Sequence, residues 1–204
     1  METTLIPENE QGKQNDIVFS RTLPTREAAI QCFKRACKRV INPQIWHELT
    51  GMLSPEVKLY TEAGEVHRLA AVKDFFRLDI PGPGTLLGGG YDWVQVAAIE
   101  DQEAEDADEA IFAMKLHPAA DPQSDSSDAA HFFNAAASST FVVHRLGNTV
   151  TASYHGRNEL PNNKTRNTID NLRNTVVAAG AAIGLSELQW KALIKNFLQE
   201  EIGA

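Results

Sequence analysis

The chain has 204 residues, 43% of them hydrophobic and 23% charged, a balance typical of a soluble globular protein with a sizeable core. Its formal net charge of −8 argues against a nucleic-acid partner, because such binding needs lysine and arginine to replace the counterions on phosphates. No run of about 18 apolar residues and no export signal is visible, so we expect no membrane partner and a cytoplasmic location.

The N-terminal part is predicted to contain a tail and then an amphipathic helix. Residues 1–22 are polar and lack a sustained period, so we expect a mobile tail that docks locally through residues 16–19, followed by a single α+β domain over residues 23–204. From 25 to 41, apolar residues recur at intervals of three and four, with basic residues mostly on the other side of the helix. The apolar set is Ile30, Phe33, Cys37, Val40 and Ile41, and the basic set is Lys34, Arg35, Lys38 and Arg39.

Two further features of this region bear on fold and location. Asn42 as N-cap, Pro43 as first helical residue and Gly51 as stop predict a second, short helix. Cys32 and Cys37 lie on different faces of the first helix, about 140° apart, which disfavours a disulfide or a shared metal ion. Two free thiols suit the reducing cytoplasm.

The middle of the chain is predicted to form an antiparallel sheet, because short β-branched and aromatic runs alternate with reversals. The fold class is therefore α+β, with a strongly bent sheet or a small β-barrel of about six strands, flanked by the N-terminal helix and a C-terminal helical hairpin. The predicted strands are 57–62, 66–80, 91–100, 109–117, 138–146 and 149–157.

The C-terminal hairpin is predicted from an apolar stripe in residues 165–183, ended by Gly184, and from a capping box of Ser186 and Gln189 that opens the next helix. Four apolar residues of that last helix are expected to face the sheet, together with Trp190. They are Leu193, Ile194, Phe197 and Leu198.

A hairpin can be predicted in detail around Gly147 and Asn148, which form a two-residue turn. In this register Val142 faces Ser153, and His155 faces Thr140. One face of the hairpin is apolar and should meet the core, through Phe141, Val143, Val150, Ala152 and Tyr154. His144 and His155 lie on the other face, about 13 Å apart at roughly 3.3 Å per residue, which is too far for one ion.

Two loops invite cofactor hypotheses that their residues do not support. The Pro-Gly-Pro-Gly segment at 81–84 precedes a predicted strand, whereas a phosphate site needs a helix after the glycines, so we interpret it as a connector. Residues 100–109 carry seven carboxylates but lack a calcium-loop pattern, and we interpret them as a solvated hairpin loop. No cofactor and no metal is expected.

The densest polar cluster lies in residues 154–163. His155, Arg157, Asn158 and Glu159 could supply a base, an anion clamp and an acid near a strand end. The alternative is a strand that runs out into a surface loop, with Arg157 and Glu159 in surface pairs. No serine-histidine-acid order, paired cysteines or H-E-x-x-H motif decides between the two, so the sequence leaves open whether the protein is an enzyme.

Several segments together resemble a family of uncharacterised bacterial proteins, over a span from about Pro43 to the end of the chain. These segments are FRLDIPGPG, GYDWVQV, HFFNAAASSTF, HGRNELPN and QWKALIKNFL. The resemblance implies a bacterial protein and carries no activity, ligand or fold.

Three functional hypotheses follow. The first is a non-enzymatic binding or protein-interaction module. The alternative is an enzyme or small-molecule receptor with a pocket between the sheet and the C-terminal helices, using His155, Arg157 and Glu159. The third is a homo-oligomer whose interface is anchored by tryptophans, namely Trp46, Trp93 and Trp190.

Overall fold

The computed structural model describes residues 3–50, 56–79, 89–103, 107–124, 129–131, 133–162 and 185–200. These residues form one eight-stranded sheet with helices packed against one of its faces. The strands are β1 (Lys13–Thr22), β2 (Glu56–Thr61), β3 (Gly64–Glu65), β4 (Phe75–Asp79), β5 (Asp92–Gln102), β6 (Glu109–Pro118), β7 (Ser138–Leu146) and β8 (Thr149–Glu159). We call the helix-covered face the inner face and the opposite one the outer face.

The strands follow the spatial order β1-β8-β7-β6-β5-β4-β2-β3, and each neighbouring pair is antiparallel. The predicted α+β class and antiparallel sheet are confirmed. The strand count is corrected from about six to eight, because β1 and the two-residue β3 were not predicted. Within the described residues, the end strands β1 and β3 do not pair with each other, so the sheet is not closed into a barrel.

β1 lies where the sequence predicted a mobile tail. It pairs with β8 from Lys13↔Glu159 to Thr22↔Thr149, and the Leu23 amide donates to the Asn148 carbonyl at 2.9 Å. Only Ile17 of this strand is buried, so the sequence shows no clear alternation of apolar and polar residues. Main-chain pairing, which leaves no sequence signal, holds the strand to the edge of the sheet.

The predicted strand 66–80 is shorter in the structure, where β4 begins only at Phe75. The Arg68 guanidinium donates two hydrogen bonds to the Asp74 carboxylate, at 2.5 and 2.8 Å, and this pair folds the preceding residues into a loop. Lys73 takes a φ of +78°, which an extended strand does not accommodate.

The β7–β8 hairpin has the predicted register, with Val142 opposite Ser153 and Thr140 opposite His155. Its predicted apolar face lies in the core, and all five of its residues are at most 3% exposed. The first described strand after the Pro-Gly-Pro-Gly segment is β5, which begins at Asp92, so a strand and not a helix follows Gly90, as predicted.

The described residues form the helices α1 (Arg26–Val40), α2 (Trp46–Thr50) and α3 (Leu185–Phe197), with a 3-10 turn at Pro43–Ile45 before α2. The Thr25 hydroxyl caps α1 by accepting a hydrogen bond from the Ala28 amide at 3.1 Å. The predicted inward residues of α3 are confirmed, since none is more than 2% exposed. They are Leu193, Ile194, Phe197 and Leu198.

Arg39 differs from its predicted place on the exposed side of α1, since it is only 7% exposed. Its Nη1 donates to the carbonyls of Asn196, Phe197 and Gln199, at 2.9, 3.1 and 2.6 Å. The last carbonyls of a helix have no partner within the helix and carry partial negative charge. A buried guanidinium from α1 therefore fixes the end of α3.

Aromatic rings fill the space between the sheet and the helices. Phe141 of β7 is fully buried, and its ring centroid lies 5.1 Å from that of Trp46 and 5.6 Å from that of Trp190. Trp190 also stacks on Tyr154 at 4.9 Å. Of the three predicted interface anchors, Trp46 and Trp93 are 3% and 2% exposed and pack within the chain, Trp93 in a separate cluster with Tyr60, whereas Trp190 is partly buried.

Residues 3–12, which we call the N-terminal strap, cross the outer face of the sheet. Leu5 and Ile6 pack on a small apolar cluster of β6 and β7, formed by Ile111, Ala113 and Val142. The strap therefore shields apolar residues on the face that the helices leave uncovered.

Some predictions concern residues or side chains outside the described ones. They are the helix at 165–183, the Pro-Gly-Pro-Gly segment at 81–84, and the capping box, which depends on the side chain of Ser186.

Candidate functional site

The four residues of the predicted polar cluster are divided between the two faces of the sheet. His155 and Arg157 point to the outer face, where both bind one oxygen of Asp16. The distances to Asp16 Oδ1 are 2.6 Å from His155 Nδ1 and 2.8 Å from Arg157 Nη2. Asp16 was not a predicted site residue because it lies in β1, where the sequence predicted a tail.

Asn158 has a structural role, since it fastens the N-terminal strap. Its backbone is left-handed, with φ of +56°, a conformation that asparagine tolerates better than most residues. The side-chain oxygen accepts hydrogen bonds from the amides of Glu10 and Gln11, at 2.8 and 3.1 Å, and the Asn158 amide donates to Asn9 Oδ1 at 2.8 Å.

Glu159 joins a second polar group on the inner side of β8. The Tyr154 hydroxyl lies 3.3 Å from Glu159 Oε1 and 3.1 Å from Ser139 Oγ. Gly156 leaves room for this carboxylate, because any Cβ there would overlap it. Burial raises the pKa of Glu159, partly offset by the Tyr154 hydrogen bond and by the charges of Lys13 and Arg157.

A groove beside α1 offers a different site, one that the sequence did not predict. This α1 groove has a volume of about 820 Å³ and lies between α1, the start of the 66–74 loop and the ends of β5 and β6. Apolar side chains from four parts of the chain line it, namely Phe33, Cys37, Ile41, Ile45, Leu69 and Phe112. Leu69 is 43% exposed, so part of this apolar surface faces solvent.

Charged residues surround the apolar part of the α1 groove. Lys34, Arg35, Lys38 and Arg39 come from α1, whereas Asp101 and Glu103 come from β5 and the residue just after it. Lys34 Nζ lies 3.4 Å from Glu103 Oε1 and so links the two sides. Within the described residues, Lys38 has no ion-pair partner.

The described residues of the acidic run lie at the facing ends of β5 and β6 and are partly or well exposed, as predicted, and two of the carboxylates also pair with α1. Glu103 pairs with Lys34, and Asp108 Oδ1 lies 3.4 Å from Arg26 Nε. Glu109 pairs with His144 at 2.9 Å. The sequence signal for these ion pairs is the complementary charge of the basic face of α1 and the acidic run. This signal does not show which residues pair, because the pairing depends on the register of the sheet.

Cys37 is a thiol in the α1 groove, and its surroundings keep it protonated. Burial raises its pKa strongly, and the carboxylates of Asp101 and Glu103 raise it further. Among the described residues, no group of three or more His, Cys, Asp or Glu side chains could hold a metal ion. In the same part of the chain, no helix is long and apolar enough to cross a membrane.

Comparison with known proteins gives distant structural similarity only. No family model and no curated protein matches the sequence. A protein from Arthrobacter aurescens, solved by solution NMR, shares 14% identity over 91% of this chain and 87% of its own, with a TM-score of 0.41. A protein from Mesorhizobium loti shares 12% identity over 92% of this chain and 99% of its own, with a TM-score of 0.40. Ara h 8.0201 shares 10% identity over 91% of this chain and 99% of its own, with a TM-score of 0.36. TM-scores of this size do not establish a shared fold.

Proposed function

We propose that the chain is a binding protein for a small apolar molecule with one anionic end, held in the α1 groove. The observation that carries this proposal is the groove itself. Its volume of about 820 Å³ lies within the roughly 300–1,000 Å³ typical of small-molecule sites. Six apolar side chains line the groove, as a small-molecule site requires, and six charged ones surround them.

The apolar lining supplies most of the affinity. Burying about 200 Å² of apolar ligand surface contributes about 5 kcal/mol at 25 cal/mol per Å². Ile45 is partly exposed in the groove and Leu69 is well exposed, so both have apolar surface that a ligand can cover. A ligand with an unbranched hydrocarbon body suits a groove whose apolar lining is partly open to solvent.

The charge of the rim selects an anionic end group. Four cationic and two acidic side chains line the groove, so the net charge of the lining is positive. Arg39 and Arg35 already donate to carbonyls at the end of α3, and Lys34 is paired with Glu103. Lys38 is the cation left to meet a ligand carboxylate.

The state of Cys37 favours binding over chemistry in this groove. A cysteine acts as a nucleophile only as the thiolate, and the raised pKa of Cys37 keeps it as the thiol. Cys32 and Cys37 are both free, which supports the further proposal that the protein works in the reducing cytoplasm.

Titration calorimetry with dodecanoate and dodecylamine tests the proposal, since the two share a hydrocarbon chain and differ in end-group charge. Dodecanoate should bind the wild type with about tenfold or greater preference, equivalent to 1.4 kcal/mol. Lys38→Glu should abolish or reverse the preference. Cys37→Trp, which fills the groove, should remove binding, whereas Leu146→Trp, at an exposed site on β7, should not. Equal binding by Cys37→Trp and wild type would refute the proposal.

A further inference from the structure

An aspartate, a histidine and a serine are hydrogen-bonded in series on the outer face of the sheet. His155 Nδ1 lies 2.6 Å from Asp16 Oδ1, and His155 Nε2 lies 2.9 Å from Ser153 Oγ. Ser153 and His155 are two residues apart on β8 and so share a face, and Asp16 lies directly opposite His155 on β1. Both distances are within the 2.6–3.2 Å that joins a nucleophile, its base and the group that orients the base.

The direction of the two hydrogen bonds follows from the charge of Asp16. Burial acts to raise the pKa of Asp16, but hydrogen bonds from Gln14, Arg157 and His155 outweigh it and lower that pKa. An ionised carboxylate only accepts hydrogen bonds, so the proton between Asp16 and a neutral His155 lies on Nδ1. Nε2 is then the acceptor for the Ser153 hydroxyl proton, which is the tautomer that a general base requires.

The aspartate is held in place by more than the histidine. Arg157 Nη2 donates to the same Oδ1 at 2.8 Å, and Gln14 Nε2 donates to Oδ2 at 2.7 Å. The β1–β8 pairing fixes the backbones of both strands beneath these side chains. The arrangement is therefore built by paired strands and by contacts on both carboxylate oxygens, which limits its reorganisation during a reaction.

The surroundings of Ser153 indicate the kind of substrate. Ser153 is 7% exposed and lies between two valines on the same face, Val18 of β1 and Val142 of β7. Val142 belongs to the cluster under the N-terminal strap, whereas Val18 is 59% exposed. An approaching molecule meets the serine from the β1 side, over Val18. A small, uncharged ester with a short apolar acyl group suits this approach.

We propose that Ser153, with His155 as its base and Asp16 as the positioning residue, hydrolyses small esters on the outer face. Ser153 Oγ forms a bond to the ester carbonyl carbon while its proton moves to His155 Nε2. The bond to the leaving oxygen breaks, and that proton passes to the leaving alcohol. Water then attacks the acyl carbon and gives a proton to His155, the bond to Oγ breaks, and Oγ takes the proton back.

This activity goes beyond the proposed function and is independent of it, because the α1 groove lies beside α1 and this serine lies on the outer face. Local sequence patterns do not indicate it, since the aspartate stands about 140 residues before the other two, in the predicted tail. Only the pairing of β1 with β8 brings the three residues together.

Labelling with a fluorophosphonate probe, followed by peptide mass mapping, tests this proposal together with p-nitrophenyl acetate hydrolysis. The wild type should be labelled at Ser153, and Ser153→Ala or His155→Ala should lower the rate of hydrolysis by about 100-fold. Ser20→Ala is the matched control, because Ser20 lies on the same face and bonds Thr151 at 2.8 Å. Its rate should equal that of the wild type.

Two results would overturn the proposal. One is the absence of label on Ser153 in the folded wild type, a result that does not depend on whether any variant folds. The other is a rate that persists in Ser153→Ala but falls in His155→Ala, because the histidine would then be the nucleophile.

Discussion

Phe141→Ala tests the packing of the helices on the sheet most severely. The side chain is fully buried, and its ring contacts Trp46, Tyr154, Trp190 and Phe197 at centroid distances of 5.1 to 6.3 Å. Truncating a buried phenylalanine costs about 3–5 kcal/mol, and these rings, held on three elements, cannot all collapse into the cavity. We expect a loss of about 4 kcal/mol in the free energy of unfolding, or about 8–16 °C in Tm for a chain of this length.

Urea unfolding, followed by tryptophan fluorescence and by circular dichroism, measures this loss. Leu146→Ala, on the same strand but 59% exposed, is the control and should change stability by less than about 0.5 kcal/mol. A loss below about 1 kcal/mol for Phe141→Ala would show that the ring cluster does not join the helices to the sheet, and the described fold would be wrong there.

Three further predictions concern single residues. Asn158→Ala should lower stability by about 1–2 kcal/mol, through the left-handed backbone and the lost strap contacts, and limited proteolysis should then cut the strap faster. Arg39→Met should cost about 2–4 kcal/mol in urea unfolding, because it leaves the carbonyls at the end of α3 without their charged donor. Glu159→Gln should stabilise the protein near neutral pH and have little effect in acid, as denaturation across pH will show. The pKa of Glu159 is higher in the folded state than in the unfolded one, so ionising this carboxyl costs more in the folded protein. Stability is therefore lost as pH rises from the usual glutamate pKa through the raised one, and glutamine, which does not ionise, removes that loss.

The part of the fold that the sequence predicts best is the β7–β8 hairpin. Its turn residues and strict alternation determine both register and face, so Phe141 and Tyr154 are placed correctly in the core. The amphipathic helix α1 and the inward face of α3 follow from periodicity in the same way. β1 could not be predicted, because it is held by main-chain bonds and buries only Ile17.

The candidate sites depend on contacts between residues far apart in sequence, which local patterns do not contain. His155 was identified, but its partner Asp16 comes from an unpredicted strand. The rim of the α1 groove combines Lys38 with Asp101, and only the folded sheet places them around one space. Arg39 is predicted on the exposed side of α1 because a charged side chain favours solvent. In the structure it is buried, because its guanidinium donates to carbonyls at the end of α3 that have no partner within the helix.

The measurement that tests the central claim most directly is a map of dodecanoate binding by amide chemical-shift changes in ¹H–¹⁵N NMR spectra. The account predicts that the largest changes cluster at Cys37, Lys38, Ile45, Leu69 and Asp101 around the α1 groove and saturate with one ligand per chain. Changes that are scattered over the surface, or centred on the aromatic residues under α3, would contradict a binding site in this groove.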